Sequence, residues 1–267
     1  MSKTHGVHAI EAVFADSRAA GRGVLIPYLT LGYPTPERSI ALVEAAVDGG
    51  ADIVELGIPF SDPLADGPVI QRATHAALEA GATVERCLEW AGRLRNAHPE
   101  PPFLFMGYLN PILAFGAERF CQSCRDAGVD GLIVPDLPPD EADEIERHCR
   151  AAGIALVFLA APNTPEARLR TICEHSSGYI YLVSLTGTTG ARDQLPTGLT
   201  DFVARVRALT AKPLAVGFGI AKPEHAAQVA RIADGAIVGS AVVDRCTGAE
   251  AEMEVRRFVE ELRAALG

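Results

Sequence analysis

The sequence predicts an α/β fold, a (β/α)8 TIM barrel of parallel strands, with extra helices at the N-terminus and between the second and third strands. Eight short apolar runs alternate with segments of helical periodicity along 267 residues. The runs are continuously apolar, which is typical of strands covered on both faces of a parallel sheet. Eight strand–turn–helix units in about 250 residues match the size and order of such a barrel. A doubly wound open sheet is the rival architecture, but no early G-x-G-x-x-G motif supports it.

The predicted strands are bounded by turn residues and separated by amphipathic segments. In chain order they are residues 24–29, 53–56, 103–106, 132–134, 155–159, 179–183, 214–216 and 236–238. Between them the apolar spacing changes to that of a helix, as at Ile40, Val43 and Val47. No low-complexity tract or linker divides the chain, so we expect one domain over residues 1–267.

The helix starts and the two longest connections complete this pattern. Thr35-Pro36-Glu37 and Thr164-Pro165-Glu166 each combine a capping hydroxyl, a proline for the first helical position and an acid near the positive helix end. The connection 60–102 has room for two helices, at residues 68–79 and 84–96. The connection 185–198 is polar, rich in glycine and threonine and without helical spacing, so it is either a mobile lid or a merely solvated loop.

Composition and charge narrow the class of protein. The formal charge of −10 argues against a nucleic-acid or anionic-membrane surface. No run is apolar over the ~18 residues that a membrane span needs, and the N-terminus does not resemble a secretion signal. The six cysteines lie in helix-like segments, and the pair Cys121 and Cys124 lacks a second ligand pair. These features predict a cytoplasmic protein with reduced thiols.

Two carboxylates stand where such a barrel carries its chemistry, at and just after a strand's carboxyl end. Glu55 lies between Val54 and Leu56, where an ionised carboxylate without partners is costly. Glu55 is therefore either a buried structural ion pair or an acid/base group. Asp66 precedes Gly67-Pro68 and is either a helix cap or a functional carboxylate.

Other catalytic groups are missing from these strand ends. The seven histidines fall in the N-terminal stretch, in helices or at the opposite rim, so we expect no metal site. Only three of the 24 basic residues are lysines (Lys3, Lys212 and Lys222), and none projects from a predicted strand. Schiff-base catalysis is therefore not expected. With metal and Schiff-base catalysis not expected, the remaining option is acid/base chemistry by carboxylates, without a cofactor in this chain.

Glycines end the last two predicted strands and indicate an anion site. Gly217-Phe218-Gly219 and Gly239-Ser240 place flexible backbone at the rim where these barrels bind phosphate. Glycine lets backbone N–H groups approach a phosphate closely, so we predict a phosphate-ester substrate. On the sixth strand, Tyr181 is either apolar filler or a hydroxyl that orients a carboxylate.

A series of motifs, in order along nearly the whole chain, resembles one family. The longest is residues 54–68, VELGIPFSDPLADGP. The others are Tyr28-Leu-Thr-Leu-Gly-Tyr-Pro34, Met106-Gly-Tyr-Leu-Asn-Pro111, Val134-Pro-Asp-Leu-Pro138, Gly187-Thr-Thr-Gly190, Gly217-Phe-Gly-Ile220 and Gly239-Ser240. Together they resemble the tryptophan synthase alpha chain family.

The resemblance implies a lyase that cleaves indole-3-glycerol phosphate to indole and glyceraldehyde 3-phosphate. It also implies a beta-chain partner that carries pyridoxal phosphate and receives the indole, in an α2β2 heterotetramer. Glu55 would be the proton-transfer group and Asp66 the partner of the indole nitrogen. The expected substrate-binding residues are Tyr28, Tyr181, Gly190, Phe218, Gly219, Gly239 and Ser240, with phosphate at Gly190, Gly219, Gly239 and Ser240.

One departure and three alternatives stay open at this point. The family often carries arginine before Gly-Val-Thr-Gly, whereas Leu185-Thr186 precede Gly187 here, which puts lid closure or beta-chain coupling in doubt. The nearest alternative is a stand-alone lyase that releases free indole. The others are a phosphosugar isomerase or epimerase on the same barrel, and a catalytically silent subunit that activates a partner.

Overall fold

The computed structural model describes residues 5–183, 198–217 and 219–267, which form a closed parallel barrel. The strands within this part are β1 Val24–Thr30, β2 Val54–Gly57, β3 Phe103–Met106, β4 Gly131–Ile133, β5 Ala155–Val157, β6 Leu159–Ala160, β7 Ile180–Val183, β8 Leu214–Gly217 and β9 Gly235–Val238. Their order in the sheet is β5-β4-β3-β2-β1-β9-β8-β7-β6. The sheet thus begins and ends with two halves of one chain segment, which closes it. The predicted barrel is confirmed, and the open doubly wound sheet is wrong.

The predicted fifth strand is divided, which raises the strand count from eight to nine in the described residues. β5 pairs with β4 and β6 pairs with β7. Between them, the Phe158 N–H donates to the Ser176 Oγ at 3.3 Å instead of to a strand neighbour. A side-chain acceptor therefore interrupts the ladder at the point where the barrel closes.

Helices cover the outside of the barrel, including the extra ones that the sequence predicts. They are α1 Val7–Ala19, α2 Pro36–Asp48, α3 Pro68–Glu79, α4 Val84–Ala97, α5 Leu109–Phe115, α6 Ala117–Asp126, α7 Asp143–Ala152, α8 Glu166–His175, α9 Leu199–Arg207, α10 Pro223–Ala230, α11 Ser240–Val243 and α12 Ala251–Ala265, with a 3-10 turn at Pro139–Glu141. None of the described helices is long and apolar enough to cross a membrane.

One of the two predicted helix starts is confirmed. The Thr35 side chain accepts the Arg38 N–H, and Pro36 is the first residue of α2. At the other, α8 begins only at Glu166 and has no side-chain cap. The Thr164 hydroxyl instead accepts the Ala161 N–H at 3.0 Å, which closes a turn before the helix.

Two apolar layers hold the barrel together and decide which end is open. One lies between strands and helices, and the other fills the barrel interior. Helix α1 closes the N-terminal end, where Ile10 and Phe14 are buried against the interior layer. The Phe14 and Tyr179 rings lie 5.6 Å apart between centroids. Space for a ligand is therefore left at the carboxyl ends of the strands.

Polar side chains join neighbouring strands at the N-terminal rim in a repeated arrangement. Four residues, here called the rim acceptors, stand just before alternate strands around the barrel: Asp52, Asp130, Ser177 and Asp234. The side chain of each accepts, at 2.8–2.9 Å, a backbone N–H from the neighbouring strand that comes before it in the chain. The donors are Leu25, Phe103, Leu156 and Leu214, respectively. In return, the backbone N–H of each rim acceptor donates to the backbone carbonyl of the residue whose N–H it accepts. The paired bonds set the register at one end of all four strand pairs.

Arginines neutralise the three rim aspartates. The pairs are Asp52 with Arg22 and Arg263, Asp130 with Arg95, and Asp234 with Arg18 and Arg207. Asp130 is the most enclosed, with 1% of its side chain exposed and 11% of the Arg95 side chain. Its carboxylate also accepts the N–H groups of Gly6 and Phe103. A buried carboxylate is stable only with partners of this kind.

We therefore expect Asp130→Asn to lower the free energy of unfolding by about 3–5 kcal/mol, because it leaves the Arg95 guanidinium buried without its counter-charge. The amide NH₂ would also face N–H donors. Urea denaturation followed by circular dichroism measures the loss. Asp126→Asn is the matched control, since Asp126 is 67% exposed beside Arg125 and should cost less than about 1 kcal/mol. Equal losses in the two variants would contradict the assigned role.

Candidate active site

Seven of the nine predicted site residues line one cavity at the carboxyl ends of the strands. They are Tyr28, Glu55, Asp66, Tyr181, Gly219, Gly239 and Ser240. The cavity has a volume of about 340 Å³, enough for a small ligand. The two other predicted residues, Gly190 and Phe218, lie outside the described residues, as do residues 185–197 of the predicted lid with Leu185-Thr186.

The strand alternation of β2 turns Glu55 into the barrel. Val54 and Leu56 pack in the outer apolar layer, so the side chain between them points inward. In the parallel register, Glu55 lies between Tyr28 of β1 and Leu104 of β3. Its side chain is fully buried, at 0% exposure. The only hydrogen bond to its carboxyl group from the described residues comes from the Tyr179 hydroxyl, which donates to Oε1 at 2.9 Å.

This environment favours the neutral form of Glu55. Burial raises the pKa of Glu55 to about 8, although the hydrogen bond from Tyr179 acts in the opposite direction. Its second oxygen, Oε2, is buried and accepts no hydrogen bond from the described residues. No ion pair to Glu55 occurs in this part of the chain, so the structural ion-pair alternative is not supported. Buried, under-paired acids of this kind are typical of active sites.

Asp66 ends the loop between β2 and α3 and is the second carboxyl group of the cavity. It is buried at 8% exposure, and the Tyr108 hydroxyl donates to its Oδ2 at 3.1 Å. Burial raises the pKa of Asp66 to about 6, with the Tyr108 hydrogen bond lowering it in part. The helix-cap alternative is wrong, because Gly67 is the N-cap of α3 and no side chain caps that helix.

Two tyrosines that hold the carboxyl groups were not among the predicted site residues. The hydroxyl bonded to Glu55 belongs to Tyr179, whereas the sequence suggests Tyr181 for such a role. Tyr181 lies in β7 and Tyr179 directly precedes that strand; being two residues apart, both side chains pack in the interior layer. Tyr108 follows β3 at the rim, a position that marks it as a candidate without showing which carboxylate it contacts.

Glycines at two strand ends make room for the tyrosine rings in the cavity wall. A Cβ atom on Gly57 would lie 2.0 Å from the Tyr28 Oη. A Cβ atom on Gly217 would lie 2.4 Å from the Tyr181 Oη. Any larger residue at either position would displace a ring, so these glycines set the shape of the cavity.

The turns after β8 and β9 give the cavity the features of an anion site. Gly219 follows β8 with a φ of +82°, a backbone conformation that favours glycine. Gly239 is the N-cap of α11, which begins at Ser240. The first N–H groups of a helix have no partner within it, and they can donate to a phosphate. The cavity is thus lined both by two carboxyl groups and by backbone donors.

Comparison with known proteins identifies the family. The tryptophan synthase alpha chain model matches residues 14–265. The chain belongs to the tryptophan synthase alpha chain family. The alpha chain of Chloroflexus aurantiacus is 50% identical over 260 residues, which cover 96% of this chain and 98% of the relative. That of a Roseiflexus species is 48% identical over 97% of this chain and 99% of its own.

Solved structures of tryptophan synthases share the same fold. A chain of Mycobacterium tuberculosis tryptophan synthase has a TM-score of 0.90 at 38% identity, over 96% of this chain and 97% of that one. The tryptophan synthase alpha chain of Legionella pneumophila has a TM-score of 0.89 at 38% identity, over 97% of each chain. The family cleaves indole-3-glycerol phosphate, and this chain is accordingly a lyase of tryptophan biosynthesis.

The buried state of Glu55 predicts how stability depends on pH. Its pKa rises from 4.5 to about 8 on folding, so the folded state carries no penalty below pH 4.5 and an increasing one as pH rises toward 8. We expect the wild type to lose stability relative to Glu55→Gln by up to ~1.4 kcal/mol per pH unit in this window. Urea denaturation of both proteins from pH 5 to about pH 8 measures the difference. Glu141→Gln, at an exposed position, controls for the loss of a solvated carboxylate. If the free energies of unfolding of wild type and Glu55→Gln change in parallel with pH, the raised pKa of Glu55 is contradicted.

Proposed function

We propose that this chain is the alpha subunit of tryptophan synthase and cleaves indole-3-glycerol phosphate by a retro-aldol reaction at the cavity described above. One observation carries the proposal: two buried carboxyl groups, neither paired with a cation in the described residues, share a cavity with the backbone donors of Gly219, Gly239 and Ser240. This arrangement suits a substrate with an indole at one end and a phosphate at the other. Gly190 and Phe218 are part of the same proposed binding site.

The substrate is oriented by its two ends. The phosphate accepts N–H groups from the turns after β8 and β9, where the glycines allow close approach. The indole ring then lies among the apolar and aromatic side chains, which include Tyr28 and Tyr181. Its nitrogen donates to the carboxylate of Asp66. Fixing both ends holds the scissile bond near Glu55.

Glu55 then moves two protons in sequence. In its neutral form, which burial favours, it protonates indole C3 and creates a cationic indolenine. Asp66 as an anion stabilises the positive charge at the ring nitrogen. The Glu55 carboxylate removes the proton of the adjacent glycerol hydroxyl, so that a C=O bond forms and the C3–carbon bond breaks. The bond electrons restore the aromatic ring, Glu55 is protonated again, and the products are indole and glyceraldehyde 3-phosphate.

The proposed partner of this chain is a tryptophan synthase beta chain. The steps above need no cofactor, and pyridoxal phosphate belongs to the proposed beta-chain partner, in an α2β2 assembly. A cytoplasmic location fits the six free cysteines, all buried. We also propose that residues 1–267 work as one domain.

The reaction is tested with purified protein and indole-3-glycerol phosphate, with and without a tryptophan synthase beta chain. We expect indole and glyceraldehyde 3-phosphate as products, and a rate that rises strongly when the beta chain is added. A high rate without the beta chain would identify a stand-alone lyase instead. Products with the carbon chain intact would indicate an isomerase or epimerase, and no reaction with or without the partner would contradict lyase activity.

The two carboxyl groups predict a bell-shaped pH profile of kcat/KM. Activity should fall below about pH 6, where Asp66 becomes neutral, and above about pH 8, where Glu55 loses its proton. Steady-state kinetics across this range measures both limbs.

A variant of Glu55 checks the assignment. Glu55→Gln should lower kcat/KM at least ~100-fold, the contribution expected of a positioned acid/base group. Binding of an indole-bearing phosphate ester without the reacting hydroxyl should persist, because Glu55 is not assigned a role in binding. More than about a tenth of wild-type kcat/KM in this variant would be inconsistent with its role.

A further inference from the structure

The backbone and the carboxylate of Asp66 are held by different groups. Asp66 lies in a loop, where its backbone N–H donates to the Pro63 carbonyl and its own carbonyl accepts the Gln71 side-chain amide at 2.9 Å. Within the described residues, one side chain contacts its carboxylate by a hydrogen bond, and that is Tyr108. The orientation of the carboxylate in the cavity is therefore set by this hydroxyl.

The Tyr108 hydroxyl bonds to two groups of the same loop. It accepts the Ala65 N–H at 3.0 Å and donates to the Asp66 Oδ2 at 3.1 Å. With the Ala65 N–H on the acceptor side, the hydroxyl proton is left to point at Oδ2. The other oxygen, Oδ1, accepts no hydrogen bond from the described residues, and Asp66 lines the cavity. Oδ1 is thus the atom that remains for a donor in the substrate.

Tyr108 is itself held firmly. Its side chain is 6% exposed, and it is the N-cap residue of α5, directly after the strand β3 region. Its ring lies 5.3 Å from that of Phe60, in the same loop as Asp66. Burial and the neighbouring Asp66 raise the pKa of Tyr108, so the hydroxyl keeps its proton at neutral pH. A rigid neutral donor therefore joins the barrel to the loop.

We infer that Tyr108 is a positioning residue for the lyase reaction, whose hydroxyl fixes the Asp66 carboxylate with Oδ1 facing the ring nitrogen of the substrate. This inference rests on the proposed function, because it assigns the ring nitrogen as the group that Asp66 meets. Tyr108 acts through Asp66 and takes no part in proton transfer. Its loss should therefore affect only what Asp66 does.

The test is Tyr108→Phe, which keeps the ring and removes the hydroxyl. A hydrogen bond to a charged group is worth about 10- to 100-fold, so kcat/KM should fall by about that factor. The acid limb of the pH profile should also move to higher pH, since the Tyr108 hydrogen bond lowers the pKa of Asp66 and its loss raises that pKa. Affinity for glyceraldehyde 3-phosphate, which lacks the indole, should stay unchanged and shows that the variant is folded.

A double-mutant cycle separates positioning from a general structural effect. In an Asp66→Asn background, adding Tyr108→Phe should change kcat/KM by less than about threefold, since the group through which Tyr108 acts is already altered. Tyr33→Phe is the matched control: Tyr33 is half-buried, does not line the cavity, and should leave kcat/KM and both limbs unchanged.

The outcomes are distinct. An active wild type with an unchanged rate and acid limb in Tyr108→Phe would overturn the inference alone. The inference alone would also be overturned if Tyr108→Phe lowered kcat/KM by the same factor in the Asp66→Asn background as in the wild type. A wild type that does not cleave indole-3-glycerol phosphate would overturn the proposed function together with the inference.

Discussion

Closure of the barrel around Glu55 is the constraint on which the proposed chemistry depends. A carboxyl group on β2 reaches the interior only because the strand alternation turns it away from the outer apolar layer. Helix α1 seals the end of the barrel below it, so water does not solvate the group from that side. Burial then makes the neutral acid the favoured form near neutral pH. The acid strength of Glu55 is therefore a property of the whole barrel rather than of its immediate neighbours.

The two ends of the barrel treat buried acids in opposite ways. At the N-terminal rim, each aspartate of the rim acceptors has an arginine partner and accepts a strand N–H. Their carboxylate oxygens contact arginines and strand N–H groups, so these residues hold the register of the strands. At the carboxyl ends, Glu55 and Asp66 meet tyrosine hydroxyls instead. A hydroxyl orients a carboxyl group without supplying a counter-charge, so in the proposed reaction Glu55 can hold the proton that it transfers and Asp66 can accept a donor from the substrate.

Most of the barrel could be predicted because strand and helix periodicities are local. The division of the fifth strand could not, because it depends on the Ser176 hydroxyl taking the Phe158 N–H across 18 positions. The same limit applies in the site. Both Tyr179 and Tyr181 face inward by strand parity, and their depth in the closed barrel decides which one reaches Glu55. Local patterns determine which face a residue takes, whereas tertiary geometry determines which polar groups meet.

A tyrosine rather than an arginine beside Asp66 fits the charge that the proposed reaction creates. Protonation of C3 puts a positive charge on the substrate's ring nitrogen, which Asp66 is proposed to contact. A guanidinium about 4 Å from that nitrogen would oppose the charge by about 4 kcal/mol at an effective dielectric constant of about 20. The Tyr108 hydroxyl supplies the hydrogen bond without the repulsion. With burial less complete than at Glu55, Asp66 can be an anion at the pH at which Glu55 is still an acid. Two carboxyl groups of one cavity thus take opposite protonation states, as the proposed proton transfer requires.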